Sequence, residues 1–164
     1  MNNNFVNRKD RIIASAIEII SEAGLSSLNT KSLAMKENMS ESLLYRYFGG
    51  IEEVLVEVIE TYTKFDKSML ATIDAKNISH FDKVLELLRT LGTYYAGYQE
   101  MSAIVLNYEE LLHNVNTREA IAHCIKMRTE FVRQHLKAAM EEGESRNDFS
   151  PEELSNIFMG SLSR

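Results

Sequence analysis

ENMSESLLYRYFGG, residues 37–50, is the stretch that decides how this chain is read. Ser40 has the side chain that starts helices, because its hydroxyl can accept from an unpaired N–H of the first turn. Leu44 and Phe48 are four apart, so they share one helical face. That leaves Glu41, Ser42, Tyr45 and Arg46 on or near the opposite face, with Leu43 and Tyr47 flanking. Gly49-Gly50 breaks the pattern. A short rigid element that presents hydroxyls, rings and a guanidinium is suited to gripping phosphates and reaching base edges. The formal net charge of −6 argues against a polyanionic partner.

The residues upstream give this element a setting. Ile12, Ile13, Ala16, Ile17, Ile20 and Ala23 form one stripe over residues 8–23, and Gly24 follows as a helix-ending glycine. A second short helix begins after Asn29, a suitable N-cap, and turns Leu33 and Ala34 inward. Met39 lies in the turn of three or four residues that leads to Ser40 and would pack beside them. Two short helices joined by a tight turn, with a third before them, make a helix-turn-helix pattern. The charge is also unevenly spread. Residues 1–50 hold Arg8, Lys9, Arg11, Lys31, Lys36 and Arg46 against Asp10, Glu18, Glu22, Glu37 and Glu41, a balance of +1. The other 114 residues carry −7. Screening beyond about 8 Å at physiological salt makes attraction to phosphate local, so the acidic remainder does not exclude DNA.

Downstream, the apolar positions Val54, Leu55, Val58, Ile59, Tyr62, Phe65, Met69 and Ile73 predict one long helix from Ile51 to about Lys76. Asn77–Ser79 breaks it. Phe81, Val84, Leu85, Leu88 and Leu91 mark another helix, expected to fray or bend around Gly92 and Gly97. A shorter helix is expected over 101–112 and a long one over 117–142, with Ile121, Ile125, Phe131, Val132, Leu136 and Met140 inward. Ser150-Pro151-Glu152-Glu153 is a capping box with proline at the first helical position, and it opens a last helix carrying Leu154, Ile157, Phe158 and Leu162. No segment alternates with period two long enough to suggest a strand. The fold class expected is all-α: an N-terminal three-helix helix-turn-helix domain over residues 1–50, then a helical domain over 51–164.

Several functional classes lack their residues. There is no nucleophile elbow, Walker loop or dinucleotide fingerprint, so neither an enzyme nor a cofactor is expected. His80, His113, His123 and His135 make no i,i+4 pair, and no metal site is expected. Cys124 is the one cysteine, which fits a reducing compartment, and it reads as a small buried apolar residue rather than a redox sensor. No apolar run approaches the ~20 residues of a membrane span. The first ten residues have no apolar core of a signal peptide, so a cytoplasmic location without membrane association is expected.

Residues 8–55 resemble the DNA-binding domain of the TetR family of bacterial transcriptional regulators. The resemblance is carried by RIIASAIEIISEAG, then LNTKSLA, then MSESLLYRYF, then EEVL, in matching order and spacing. Beyond residue 60 it rests on the helical character and on EEGESRNDFSPEELSNIFMGSL, which is similar to the connector and final helix of many members. It implies that Asn29 and Thr30 meet phosphate, with Lys31 as a further contact. It places Ser40, Ser42 and Leu43 at the groove-facing start of the recognition helix, and Tyr45 and Tyr47 on phosphates. Glu41 and Arg46 complete the candidate DNA-binding set.

The departures from the family pattern are specific. Glu41 stands where many members carry a neutral or basic residue, and a carboxylate can accept from a cytosine amino group while repelling phosphate. Leu43 replaces a small hydroxyl residue and could touch a thymine methyl, and Ile51 replaces a common phosphate-contacting lysine. Asn38 stands at the turn glycine and tolerates a left-handed backbone.

The resemblance further implies a ligand-responsive regulator, a repressor, that binds a palindromic double-stranded operator as a homodimer. An unknown small-molecule effector would sit among Tyr62, Phe65, Met69, Tyr94, Tyr98, Met101, Tyr108, Met127 and Phe131, with Tyr95 nearby. The competing reading of those residues is ordinary helical core. Dimer contacts would come from the last two helices, 117–142 and 151–164. The final one is short for that task, so the chain is expected to be truncated or to end early. The alternative function is a TetR-like protein-interaction adaptor with weak or lost DNA binding, motivated by Glu41, Ile51 and the acid-rich start of the long helix.

Overall fold

The computed structural model describes residues 7–143 and 150–162, and all regular structure among them is helical. Helix α1 (Arg8–Ala23) is capped by Asn7, whose side chain accepts from the Lys9 N–H, and it stops at Gly24. Gly24 has φ +82° and ψ 168°, a backbone region that only glycine enters without strain. Its N–H still reaches the Ile20 carbonyl at 2.9 Å. The buried row is Ile12, Ser15, Ala16, Ile19 and Ile20. Ile19 thus takes the inward place expected of Ala23, which is the last helical residue and lies in solvent.

A short 3-10 turn (Leu25–Ser27) leads to α2 (Thr30–Lys36). Asn29 caps α2 in a reciprocal box: the Ser32 N–H donates to Asn29 Oδ1 at 2.9 Å, and the Asn29 N–H donates to Ser32 Oγ at 3.1 Å. The turn that follows passes through Asn38 at φ +51°, the left-handed conformation its side chain tolerates. Helix α3 (Glu41–Leu44) starts at Ser40, which accepts from the Leu43 N–H. It is shorter than the expected 40–48. After the Tyr45 N–H bonds to Glu41, the chain tightens into three-residue bonds, Arg46 to Leu43 at 3.2 Å and Tyr47 to Leu44 at 2.9 Å. Leu33, Ala34, Leu44 and Phe48 are buried, as their spacing required.

Helix α4 (Ile51–Asp74) follows from Gly50, and Glu53 in its first turn accepts the Gly49 N–H at 2.5 Å. Then come α5 (His80–Gly97), α6 (Gln99–Leu106), α7 (Tyr108–His113), α8 (Arg118–Glu141) and α9 (Pro151–Leu162). Helix α5 runs through Gly92 and ends at Gly97. The single helix expected over 101–112 is two, because Asn107 breaks it: its φ and ψ are −107° and 17°, and its amide donates to the Ala103 carbonyl at 2.7 Å. The capping box at Ser150 forms in both directions, with Glu153 as partner. Residues 144–149, Met101's side chain, Phe158 and Leu162 as core positions, and the end of the 151–164 range lie outside the described residues.

Two apolar clusters organise the fold. The first joins α1, α2 and Phe48 to Val54, Val58, Ile59 and Tyr62 of α4, and it is closed by Ile104, Leu111 and Ile121. The second holds Met69, Leu70 and Ile73 of α4 against Val84, Leu87 and Leu91 of α5 and Phe131, Val132 and Leu136 of α8. Phe65, expected inward, is 44% exposed; Asp66 takes the buried position beside it, at 0%. Arg128 and His135 likewise interrupt the buried side of α8. No described helix is long and apolar enough to cross a membrane.

Candidate nucleic-acid interface and effector region

The helix-turn-helix surface sorts its side chains by what already holds them. Leu44 and Phe48 are sunk in the core, while Glu41, Ser42, Tyr45 and Arg46 are exposed and Leu43 and Tyr47 are half-buried. Tyr47 packs its ring against the first cluster. Ser40 is exposed but its oxygen is committed to the α3 cap. Asn29 is similarly committed: Oδ1 serves the α2 cap and Nδ2 donates to the Ser27 carbonyl at 3.2 Å. The Thr30 hydroxyl donates to Glu41 Oε2 at 2.9 Å, which brings the first turns of α2 and α3 together. Lys31 is exposed and makes no ion pair among the described residues.

The local electrostatics differ from a simple charge count. Lys36 is taken up by Glu18 at 3.0 Å and Glu22 at 3.2 Å, and the hydrogen bond to Glu18 raises its pKa. Arg11 reaches Glu37 at 3.3 Å, and Glu37, almost fully buried, also accepts the Ser15 hydroxyl at 2.6 Å. This triad ties α1 to the end of α2. Lys9, unassigned from the sequence, sits over the Phe48 ring 5.0 Å from its centroid. Lys9, Lys31 and Arg46 are therefore cations of this unit with no carboxylate partner among the described residues.

The eight effector candidates whose side chains are described are not gathered in one place. Tyr62 and Tyr108 belong to the first cluster, and Met69, Met127 and Phe131 to the second. Phe65, Tyr94 and Tyr98 form an aromatic ladder instead: Phe65 stacks on Tyr94 at 4.7 Å and 7°, and Tyr94 meets Tyr98 at 4.6 Å and 45°. A groove of 330 Å³ beside α5 includes Tyr94 and Tyr98 with Arg89 and Thr90. A cleft of 470 Å³ between α4 and α8 includes Met127 with Thr63, Lys67 and His123. A third, of 420 Å³, lies between α8 and α9 against Thr129 and Ser155.

Sequence reasoning missed a polar group within the helical body. Asp66 Oδ2 accepts from Arg128 Nε at 2.7 Å and Cys124 Sγ at 3.3 Å, and Arg128 Nη1 donates to the Tyr95 hydroxyl. Burial pushes the Cys124 thiol up to about 11 and raises Tyr95 as well. Asp66 Oδ1 has no hydrogen-bond partner among the described residues. The signal was available: Asp66 is four residues from Tyr62 and Leu70, and Arg128 is four from Cys124 and Val132, all inward-facing. His80 and His135, distant in sequence, also meet, Nδ1 to Nδ1 at 2.8 Å. Among the described residues, no group of three or more His, Cys, Asp or Glu could hold a metal ion.

Known proteins share both the unit and the whole fold. Residues 12–58 match the family described as bacterial regulatory proteins, tetR family. Over 148 residues the chain is 24% identical to the probable HTH-type transcriptional regulator YttP of Bacillus subtilis (strain 168), covering 88% of this chain and 68% of that protein. The fold is similar to the transcriptional regulator FadR from Bacillus subtilis in complex with stearoyl-CoA, with a TM-score of 0.77, 19% identity, and coverage of 93% of this chain and 82% of that one. It is also similar to AibR in complex with isovaleryl coenzyme A and operator DNA, with a TM-score of 0.78, 16% identity, and coverage of 95% and 84%. At those identities the structural likeness is one of fold. The match places the helix-turn-helix unit, residues 12–58, with the bacterial regulatory proteins of the tetR family, and the helical body behind it shares the fold of these solved regulators.

Proposed function

We propose that this regulator is a ligand-responsive repressor that binds a palindromic operator as a homodimer in the cytoplasm. The observation that carries the reading is the sorting of α3 and the tightened turn that follows it: Leu44 and Phe48 are buried while Ser42, Tyr45 and Arg46 face solvent beside the first turn of α2. A two-fold dimer would set two copies of this surface about one DNA turn apart. In this reading residues 1–50 contact DNA, and residues 51–164 bind the effector and dimerise through α8 and α9.

The contacts we assign differ in kind. Tyr45, Arg46 and Lys31 reach phosphates with exposed side chains that have no carboxylate partner among the described residues. Thr30 acts through its backbone N–H in the first turn of α2, because its hydroxyl is occupied, and Asn29, whose N–H and side chain both serve the cap, holds that turn in place. Tyr47 is the half-buried partner that adds its hydroxyl at the edge, and Ser42 and Leu43 face the groove. The effector would act on α4, which passes from the DNA-contacting unit into the second cluster. Two structural relatives were solved with acyl-coenzyme A thioesters, so these are the first effectors to test.

The test is selection of a randomised duplex pool with the purified protein, then titration of the winner at two salt concentrations with and without acyl-CoA. One enriched palindrome, released by an effector, is expected. No enrichment from a confirmed dimer at low salt would overturn the DNA-binding claim and favour an adaptor.

A further inference from the structure

Within the exposed surface of α3 and the turn after it, one side chain has the opposite chemistry to its neighbours. Ser42, Tyr45 and Arg46 can all donate hydrogen bonds, as can Lys31 from α2. Glu41, exposed in the first turn of α3, only accepts. A carboxylate at that place weakens phosphate binding, so it needs a reason to be held there. It is held: the Thr30 hydroxyl, on the neighbouring helix, donates to Oε2 at 2.9 Å. Thr30 has one hydroxyl proton, and that bond uses it. The bond also removes rotamer freedom from Glu41 before any partner arrives. Oε1 keeps its acceptor capacity, with no hydrogen bond to it among the described residues.

In the major groove, donors on base edges are the amino groups of cytosine and adenine. Adenine places the N7 acceptor beside its amino group, which opposes a carboxylate, whereas cytosine adds no acceptor of its own. Guanine N7 and O6 and thymine O4 are acceptors and would be repelled. We infer that Glu41 reads the amino group of a cytosine in each half-site, with Thr30 as the positioning residue that fixes its carboxylate. This rests on the regulator reading and names one base of the operator by its chemistry.

The experiment is duplex selection with the wild type, Glu41→Gln and Thr30→Val, followed by titration of the winning site and its single-base variants. The wild type is expected to fix one C·G pair per half-site and to lose about tenfold to a hundredfold in affinity when that pair is changed. Glu41→Gln should move the preference at that position alone toward adenine, because a carboxamide pairs with N6 and N7 together. Thr30→Val should keep cytosine preferred but shrink the discrimination, with the salt slope unchanged. A uniform loss across all sequences would instead make Thr30 a phosphate contact and overturn its positioning role. Unchanged base preferences in Glu41→Gln, or uniformly tighter binding, would overturn the inference while leaving the regulator reading intact. A wild type that enriches no sequence would remove both.

Discussion

Arg128 on α8 encloses Asp66 on α4, placing Nε 2.7 Å and Nη2 2.6 Å from the same carboxylate oxygen, in a core where Asp66 is wholly buried. Taking either charge out of water is costly, and only the other one repays it. Removing one partner should therefore do more harm than removing both. Asp66→Ala or Arg128→Ala is expected to lose about 3–5 kcal/mol, whereas Asp66→Leu with Arg128→Met should fall close to wild type. Urea unfolding of the two single variants and the double variant measures this. A double variant as unstable as the singles would show that shape, rather than charge, is what the site requires.

The histidine contact predicts a pH dependence. His135 Nε2 lies 3.2 Å from Asp74 Oδ1, so it donates there and its Nδ1 accepts from His80. A second proton on His135 would set N–H against N–H. Burial lowers its pKa, Asp74 opposes that, and Lys83 and His80 add to the lowering. The folded state thus binds this proton less well than the unfolded chain does. The stability it contributes is present above the unfolded value near 6.5 and is lost as pH falls through the lower folded value. Glu142, 3.7 Å from His80 Nε2, also faces the pair. Urea midpoints should drop between about pH 7 and pH 5, and the drop should be smaller in His135→Gln. Equal profiles would exclude His135 as the source.

Tyr45 and Phe48 separate binding from stability. Tyr45 is 53% exposed, so Tyr45→Phe should stay within about 0.5 kcal/mol of wild type in unfolding while weakening operator binding. Phe48 is 2% exposed, and Phe48→Ala should cost about 3–5 kcal/mol and lose DNA binding only by unfolding. Arg46→Ala should reduce the salt slope of binding by about one per subunit, at every sequence alike. A Tyr45→Phe protein that binds the selected operator normally would remove its hydroxyl from the interface.

Cys124 should be slow toward thiol reagents. Its pKa of about 11 leaves little thiolate at neutral pH, and the side chain is 7% exposed. Labelling by a disulfide reagent should be slow in buffer and fast in denaturant. Fast labelling of the folded protein would indicate an opening of the α4–α8 contact.

The helices and the helix-turn-helix core were legible because period, caps and glycines act within a few residues. Asn29, Ser40 and Ser150 cap the helices they were expected to cap, and Leu33, Leu44 and Phe48 point inward. The break at Asn107 was hidden because an apolar stripe continues across it. The polar contacts in the body were hidden for a different reason. Asp66 looks like a surface residue until Arg128 reaches it, and that pairing depends on how α4 and α8 approach. The same holds for Thr30 and Glu41, each readable as a DNA contact, whose mutual bond changes what either can do.

Helix α4 contributes to both apolar clusters: Val54, Val58, Ile59 and Tyr62 complete the first, and Met69, Leu70 and Ile73 sit in the second. The helix-turn-helix unit therefore borrows part of its interior from residues that follow Gly50. Melting should then be cooperative across the chain, one transition seen alike by helicity and by tyrosine fluorescence. A fragment ending at Gly50 would forfeit those four side chains, along with Ile104, Leu111 and Ile121, and should not fold alone.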